Sequence, residues 1–133
     1  MKTLKEISKI LKEKPSKISY YVNKGIVIPD INNPIGRGKV RRYSLNNMLD
    51  FLIVKELSKN GITLDTIKFV LSEIPNGVKT DITCGNLKTE IVLVINNPSS
   101  LTPDVEFFIP DVYCIGIAII INLSRIWRRF TIL

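Results

Sequence analysis

Over its first 74 residues the chain alternates apolar and polar positions with the period of a helix. Leu4, Ile7 and Leu11 recur at three- and four-residue intervals behind Thr3 and Glu6, a capping-box spacing, so residues 4–13 are predicted to form a short amphipathic helix. Pro15 ends that stretch. Because proline's missing N–H has no intrahelical partner at a helix's first position, Pro15 also opens a second helix through Lys24, with Ile18, Tyr21 and Val22 inward and Gly25 closing it. Two short helices joined by a tight turn make a helix-turn-helix pattern. Ile26 to Pro29 is short and apolar. Asn32, Asn33, Pro34, Gly36 and Gly38 then mark a loop before Val40 to Tyr43 resumes an extended pattern, which reads as a wing hairpin with a basic tip. Ser44 caps a third helix with Met48, Leu49, Leu52 and Leu57 inward, stopped by Asn60-Gly61. Thr63 caps a fourth with Leu64, Ile67, Val70, Leu71 and Ile74 inward.

At Pro75-Asn76-Gly77 the apolar period changes from helical to two. Val78 to Cys84, the hairpin-type turn Gly85-Asn86, Leu87 to Ile95, Val105 to Ile109 and Tyr113 to Ile121 read as a small sheet. Ser124 to Phe130 fits one or two helical turns, with Ile126, Trp127 and Phe130 on one side and Arg125, Arg128 and Arg129 elsewhere. The predicted fold class is α+β. Residues 1–74 form an N-terminal winged helix-turn-helix of about four helices plus a wing hairpin, and residues 75–133 a small, mainly antiparallel β domain with a short C-terminal helix.

Charge changes this picture more than composition does. The chain has 133 residues and is 45% apolar, enough to bury a core in one domain or two small ones. It carries 19 Lys and Arg against 12 Asp and Glu, and the whole excess of +7 falls in residues 1–74. A localised cationic field attracts polyanions, either nucleic acid or an acidic membrane face. The longest apolar run, Val112 to Leu123, is about half the roughly 20 residues a membrane-spanning helix needs and is read as a buried strand, so no membrane is expected. Cys84 and Cys114 lie far apart, and the chain has no histidine to complete a zinc set. Buried free thiols are expected, with a strand-to-strand disulfide the alternative. No signal-peptide pattern precedes the first helix, which places the chain in a reducing cytoplasm. Without histidine, a phosphate-loop glycine motif, or a nucleophile patterned beside a base, no enzyme activity, cofactor or metal is expected.

Four local signatures follow one another in the order helix, helix, wing, helix, helix. They are KISYYVNKGIV at 17–27, GKVRRYS at 38–44, LNNMLDFLIVKEL at 45–57 and NGITLDTIKFVL at 60–71. Together they make residues 3–74 resemble the winged-helix DNA-binding domain of MerR-type transcription regulators. The resemblance implies that the second helix enters a DNA major groove while the wing runs along adjacent phosphates. On that helix Ser16 and Lys17 approach the backbone or base edges, Tyr20 and Tyr21 offer hydroxyls, and Lys24 adds charge. Neighbouring helix positions point about 100° apart, so only one tyrosine faces fully outward, and Tyr21, on the stripe of Ile18, is the one expected to be partly buried. In the wing, Gly36 and Gly38 let the main chain approach a sugar-phosphate strand, and Arg37, Lys39, Arg41 and Arg42 supply charged forks. Tyr43 reads equally as a DNA contact or as packing at the wing base. Ser19 stands where the family usually carries Arg, and Val22 where it carries an acidic residue.

MerR-type regulators ordinarily continue into a long helix that pairs two subunits. The strand pattern after Pro75 does not match it, so that dimer, its metal-binding cysteines and its operator untwisting are not carried over. Residues 78–133 are electrically neutral, rich in Ile and Val, and end in the apolar FTIL. They are expected to bury surface in a homodimer, with a pocket for an unidentified small-molecule effector, or a packed accessory domain, as alternatives. The reading of the whole chain is a sequence-specific, double-stranded-DNA-binding transcription regulator of the cytoplasm and nucleoid. The alternatives are a DNA-architectural or phage-type accessory factor and a protein-interaction adaptor.

Overall fold

The computed structural model describes residues 2–31, 41–84, 92–96, 104–108, 118–124 and 126–127. The chain starts with β1 (Lys2–Thr3) and turns at once into α1 (Leu4–Leu11). Thr3 holds the junction: its backbone N–H donates to Glu6 Oε2 at 2.8 Å, while the Glu6 N–H donates to Thr3 Oγ1 at 3.3 Å. α2 (Pro15–Asn23) begins with proline in its first turn, and its N-cap, Lys14, offers no side-chain hydrogen bond. It ends through Gly25, whose φ of 72° turns the chain back so that the Ile26 and Val27 N–H groups reach the Tyr21 carbonyl at 3.0 and 3.3 Å.

That ending corrects the expected hairpin. Ile26 and Val27 are buried and spend their donors closing α2, so Ile26–Pro29 is not a strand. The extended segment β2 (Arg42–Tyr43) pairs instead with β1, antiparallel, in the register Lys2↔Tyr43 and Thr3↔Arg42. The predicted wing tip, residues 32–40, lies outside the described residues.

α3 (Leu45–Lys59) is capped by Ser44, whose Oγ accepts the Asn47 N–H at 3.1 Å. It is buried without a break from Asn47 to Val54 and again at Leu57, so other elements surround it on all sides. α4 (Leu64–Glu73) follows a left-handed Gly61 and its Thr63 cap, with Thr66, Ile67, Val70 and Leu71 inward.

The strand predicted for Val78–Cys84 is a helix, α5 (Asn76–Thr83). Pro75 stands at its N-cap. Apolar residues four apart, Val78 and Ile82, satisfy a period of two and a helical stripe equally, so the pattern there is ambiguous. Contacts with α3 decide it: Ile82 enters the core, and Thr83 and Thr80 hydrogen-bond the two ends of the Asn46 side-chain amide at 2.8 and 3.0 Å. Cys84 caps α5 and carries a free, exposed thiol, not the expected buried one; Cys114 and the predicted turn at Gly85-Asn86 lie outside the described residues.

β3 (Val92–Asn96), β4 (Asp104–Phe108) and β5 (Ala118–Asn122) form an antiparallel sheet in the order β4-β3-β5. After β5, Leu123, Ser124, Ile126 and Trp127 are helical, and Leu123, Ile126 and Trp127 are buried in the same cluster as the residues of α1 to α5.

Candidate nucleic-acid interface

At about 100° of rotation per residue, Ser16, Lys17, Tyr20 and Lys24 fall within one arc of α2 about 100° wide, and all four are exposed. Their placement follows from the opposite requirement at Ile18 and Tyr21, which the core takes up. Tyr20 is 44% exposed, and the Lys24 ammonium sits 5.7 Å from its ring centroid. Lys17 lies 3.5 Å from Glu13. An exposed pair of this kind is worth at most about 1 kcal/mol, so it yields readily to a better anion.

Tyr21 does not stand open beside Tyr20. At 6% exposure it is a core residue, its ring edge-on to Tyr20 at 6.2 Å; burial pushes its hydroxyl above the ordinary tyrosine value, with Lys17 opposing the shift. Of the two readings of Tyr43, its burial favours packing. It is 0% exposed, packed edge-to-face on Phe51 at 5.5 Å, and its hydroxyl has no hydrogen-bond partner among the described residues. The ring is the anchor of β2. On an extended segment successive side chains point to opposite faces, so burying Tyr43 turns its neighbour Arg42 outward, and Arg41 and Arg42 are both exposed. Arg42 lies near Glu6, whose carboxyl is held below its ordinary value first by the Thr3 backbone N–H and further by Lys2 and Arg42. Arg37 and Lys39 lie outside the described residues.

The pattern reading passed over Asn47, Asp50 and Lys79. Asp50 is 4% exposed and Lys79 8%; the Lys79 ammonium sits 3.0 Å from Asp50 Oδ1 and 3.2 Å from Oδ2, joining α5 to α3. Burial pushes the Asp50 carboxyl from its ordinary 3.8 up to about 6, against the pull of Lys79 and the Asn47 amide and with a small push from Asp30. A cavity of about 450 Å³ lies beside the pair, with Gly25, Lys68 and Pro75 also in its walls. Polar residues three apart on a helix face that is otherwise apolar were the available signal for Asn47 and Asp50.

Among the described residues, no group of three or more His, Cys, Asp or Glu could hold a metal ion, and no helix is long and apolar enough to cross a membrane. The sequence model of the MerR HTH family of regulatory proteins matches residues 2–74. No curated protein matches the chain.

Proposed function

We infer a mode of DNA recognition for this chain, which belongs to the MerR HTH family of regulatory proteins and is a DNA-binding transcription regulator. α2 enters the major groove with Ser16, Lys17, Tyr20 and Lys24 toward the DNA, while Arg41 and Arg42, with Arg37 and Lys39 ahead of them in the chain, neutralise phosphates beside it. The observation that carries this reading is the single exposed arc on α2, where donors and cations face outward together while Ile18 and Tyr21 are buried. The N-terminus of the same helix supports it, because no side chain caps it and the positive end of the helix dipole favours an anion there. Tyr21 and Tyr43 act through packing. Ser19, half-buried, and Val22, packed against the core, leave base readout to Ser16, Lys17 and Tyr20.

Phosphate contacts release counterions, so each one steepens the fall of affinity with salt by nearly one in log–log slope. Fluorescence anisotropy with a labelled duplex over a salt series tests the assignment. Replacing both Arg41 and Arg42 by Ala is expected to weaken binding to all duplexes alike and to make the slope shallower by about two. An unchanged slope overturns it.

The sheet of β3, β4 and β5 supplies the homodimer contact in this reading, and the protein acts on DNA in the cytoplasm. β4 and β5 are the outer strands, each with one edge unpaired among the described residues, and exposed edges are the natural template for a second chain. Two copies so joined would present two α2 helices to half-sites about one helical turn apart. Sedimentation equilibrium on the full chain should return a dimer. A monomer across the micromolar range overturns this part.

A further inference from the structure

We infer that Asn47 is a positioning residue that fixes β2, with Arg42 on it and Arg41 just ahead of it, relative to α2, an inference that rests on the recognition mode proposed above. Asn47 is fully buried at the start of α3, and its amide has four hydrogen-bonding positions, two donating and two accepting. All four are taken. Its Oδ1 accepts the Asp30 backbone N–H at 2.9 Å and stands 3.2 Å from the Ser44 hydroxyl. Its Nδ2 donates to the Ile28 carbonyl at 2.8 Å and to Asp50 Oδ2 at 3.4 Å. The Ser44 hydroxyl also reaches Asp30 Oδ2 at 2.7 Å.

These partners come from three directions. Ile28 and Asp30 lie on the segment that leads away from α2, through Gly25 and the buried Val27. Ser44 lies two residues past Arg42, and between them Tyr43 is pinned on Phe51. Asp50 faces α5 through Lys79. One short amide therefore joins the exit of the groove-facing helix to the root of the basic strand, and α5 holds that amide from behind. A buried amide whose oxygen faces an N–H and whose nitrogen faces a carbonyl and a carboxylate has no second orientation of equal energy. The spacing between the two halves of the contact surface is thus set at Asn47, although Asn47 itself touches no DNA. Asp50 and Lys79 make α5 the route by which the C-terminal half bears on that spacing.

The test is a set of full-length variants compared by salt-dependent anisotropy, with circular dichroism at the assay temperature to establish folding. Asn47→Ala is expected to weaken duplex binding and to make the salt slope shallower, toward that of the Arg41→Ala, Arg42→Ala double variant, by up to about two. Adding Asn47→Ala to that double variant is expected to change the slope no further. Should Asn47→Ala not fold, Ser44→Ala carries the comparison. It cuts the same knot from the strand side without emptying a buried site, and is expected to lower the slope only when Arg41 and Arg42 are present. A folded Asn47→Ala or Ser44→Ala protein with wild-type slope overturns the inference, as does an equal loss whether or not the arginines are there. A wild-type slope in the Arg41→Ala, Arg42→Ala protein overturns the recognition mode, and the inference with it.

Discussion

The buried Asp50 carboxyl makes stability depend on pH in a direction opposite to most acidic residues. Its value rises from 3.8 to about 6 on folding, because leaving water costs the charged form more than Lys79 returns. The folded chain therefore binds this proton more tightly than the unfolded chain does. Its contribution to stability is complete below about pH 4 and is lost as pH rises through about 6. At about 1.4 kcal/mol for each pH unit between the two values, the loss comes to about 3 kcal/mol. The remedy in the protein is only partial: Lys79 and Asn47 lower the carboxyl, and Asp30 raises it slightly. Asp50→Asn keeps the shape and removes the titration. Urea unfolding of both proteins in steps from pH 4 to pH 7.5 reads out the group with its Lys79 partner, since titrations away from Asp50 are shared. The wild-type stability minus that of the variant should fall by about 3 kcal/mol across the window, so that the variant gains ground as pH rises. A difference that stays flat, or that grows with pH, would refute the reasoning, because it would mean that Lys79 holds Asp50 ionised at least as easily as water does.

Three further outcomes follow from the packing. Tyr43→Phe removes a buried hydroxyl that has no hydrogen-bond partner among the described residues, so stability by urea unfolding should stay level or rise by up to about 1 kcal/mol, with duplex affinity unchanged; a loss of either means the hydroxyl has a task. Gly61→Ala should cost about 1 kcal/mol, since its φ of 81° penalises any Cβ although nothing crowds it, whereas Gly77→Ala, in the first turn of α5 with open space around it, should add about 0.5–1 kcal/mol. The two signs should be opposite in thermal melts. A chain ending at Ile74 loses α5 and uncovers Asp50, so the fall in stability between pH 4 and pH 7 should shrink markedly there; persistence of the full 3 kcal/mol would show that α5 is not what keeps Asp50 from water.

The helices of the first half were legible because their ends are written in local chemistry. Thr3 with Glu6, Pro15, Ser44 and Thr63 each satisfy or excuse donors within one turn, and each stands where its helix begins. What could not be read depends on partners distant in sequence. A strand of two residues has no period to detect, so Lys2–Thr3 was invisible as the partner of Arg42–Tyr43 until the chain brought them together. Val78 and Ile82 fit strand and helix alike, and the deciding contacts, from Asn46 and Asp50, lie 29 to 37 residues away. Of the candidate contact residues, Ser16, Lys17, Tyr20 and Lys24 share a face that the 3.6-residue period dictates. Tyr43 was open to two readings because alternation along β2 says only that it and Arg42 point apart; which one turns inward is set by the room beside Phe51.

A buried ion pair is a poor choice for stability alone, since apolar residues of the same volume usually serve as well or better. Its cost makes sense where position matters more than stability. α3 packs against α4 and α5 and shares one apolar cluster with α1 and the C-terminal turn, yet its first two turns offer Asn46, Asn47 and Asp50 to partners with strict geometry. Apolar packing tolerates small sliding between helices, whereas hydrogen bonds to a fixed amide and carboxylate do not. The polar end of α3 is thus the part of the molecule where α2's exit, the arginine strand and α5 are held in register, while its apolar end holds them together. The cationic excess of the first half sets how strongly a duplex is attracted. The register held at Asn47 sets where on the duplex that attraction can act, and α5 is the only helix reaching that register among the described residues beyond the family match.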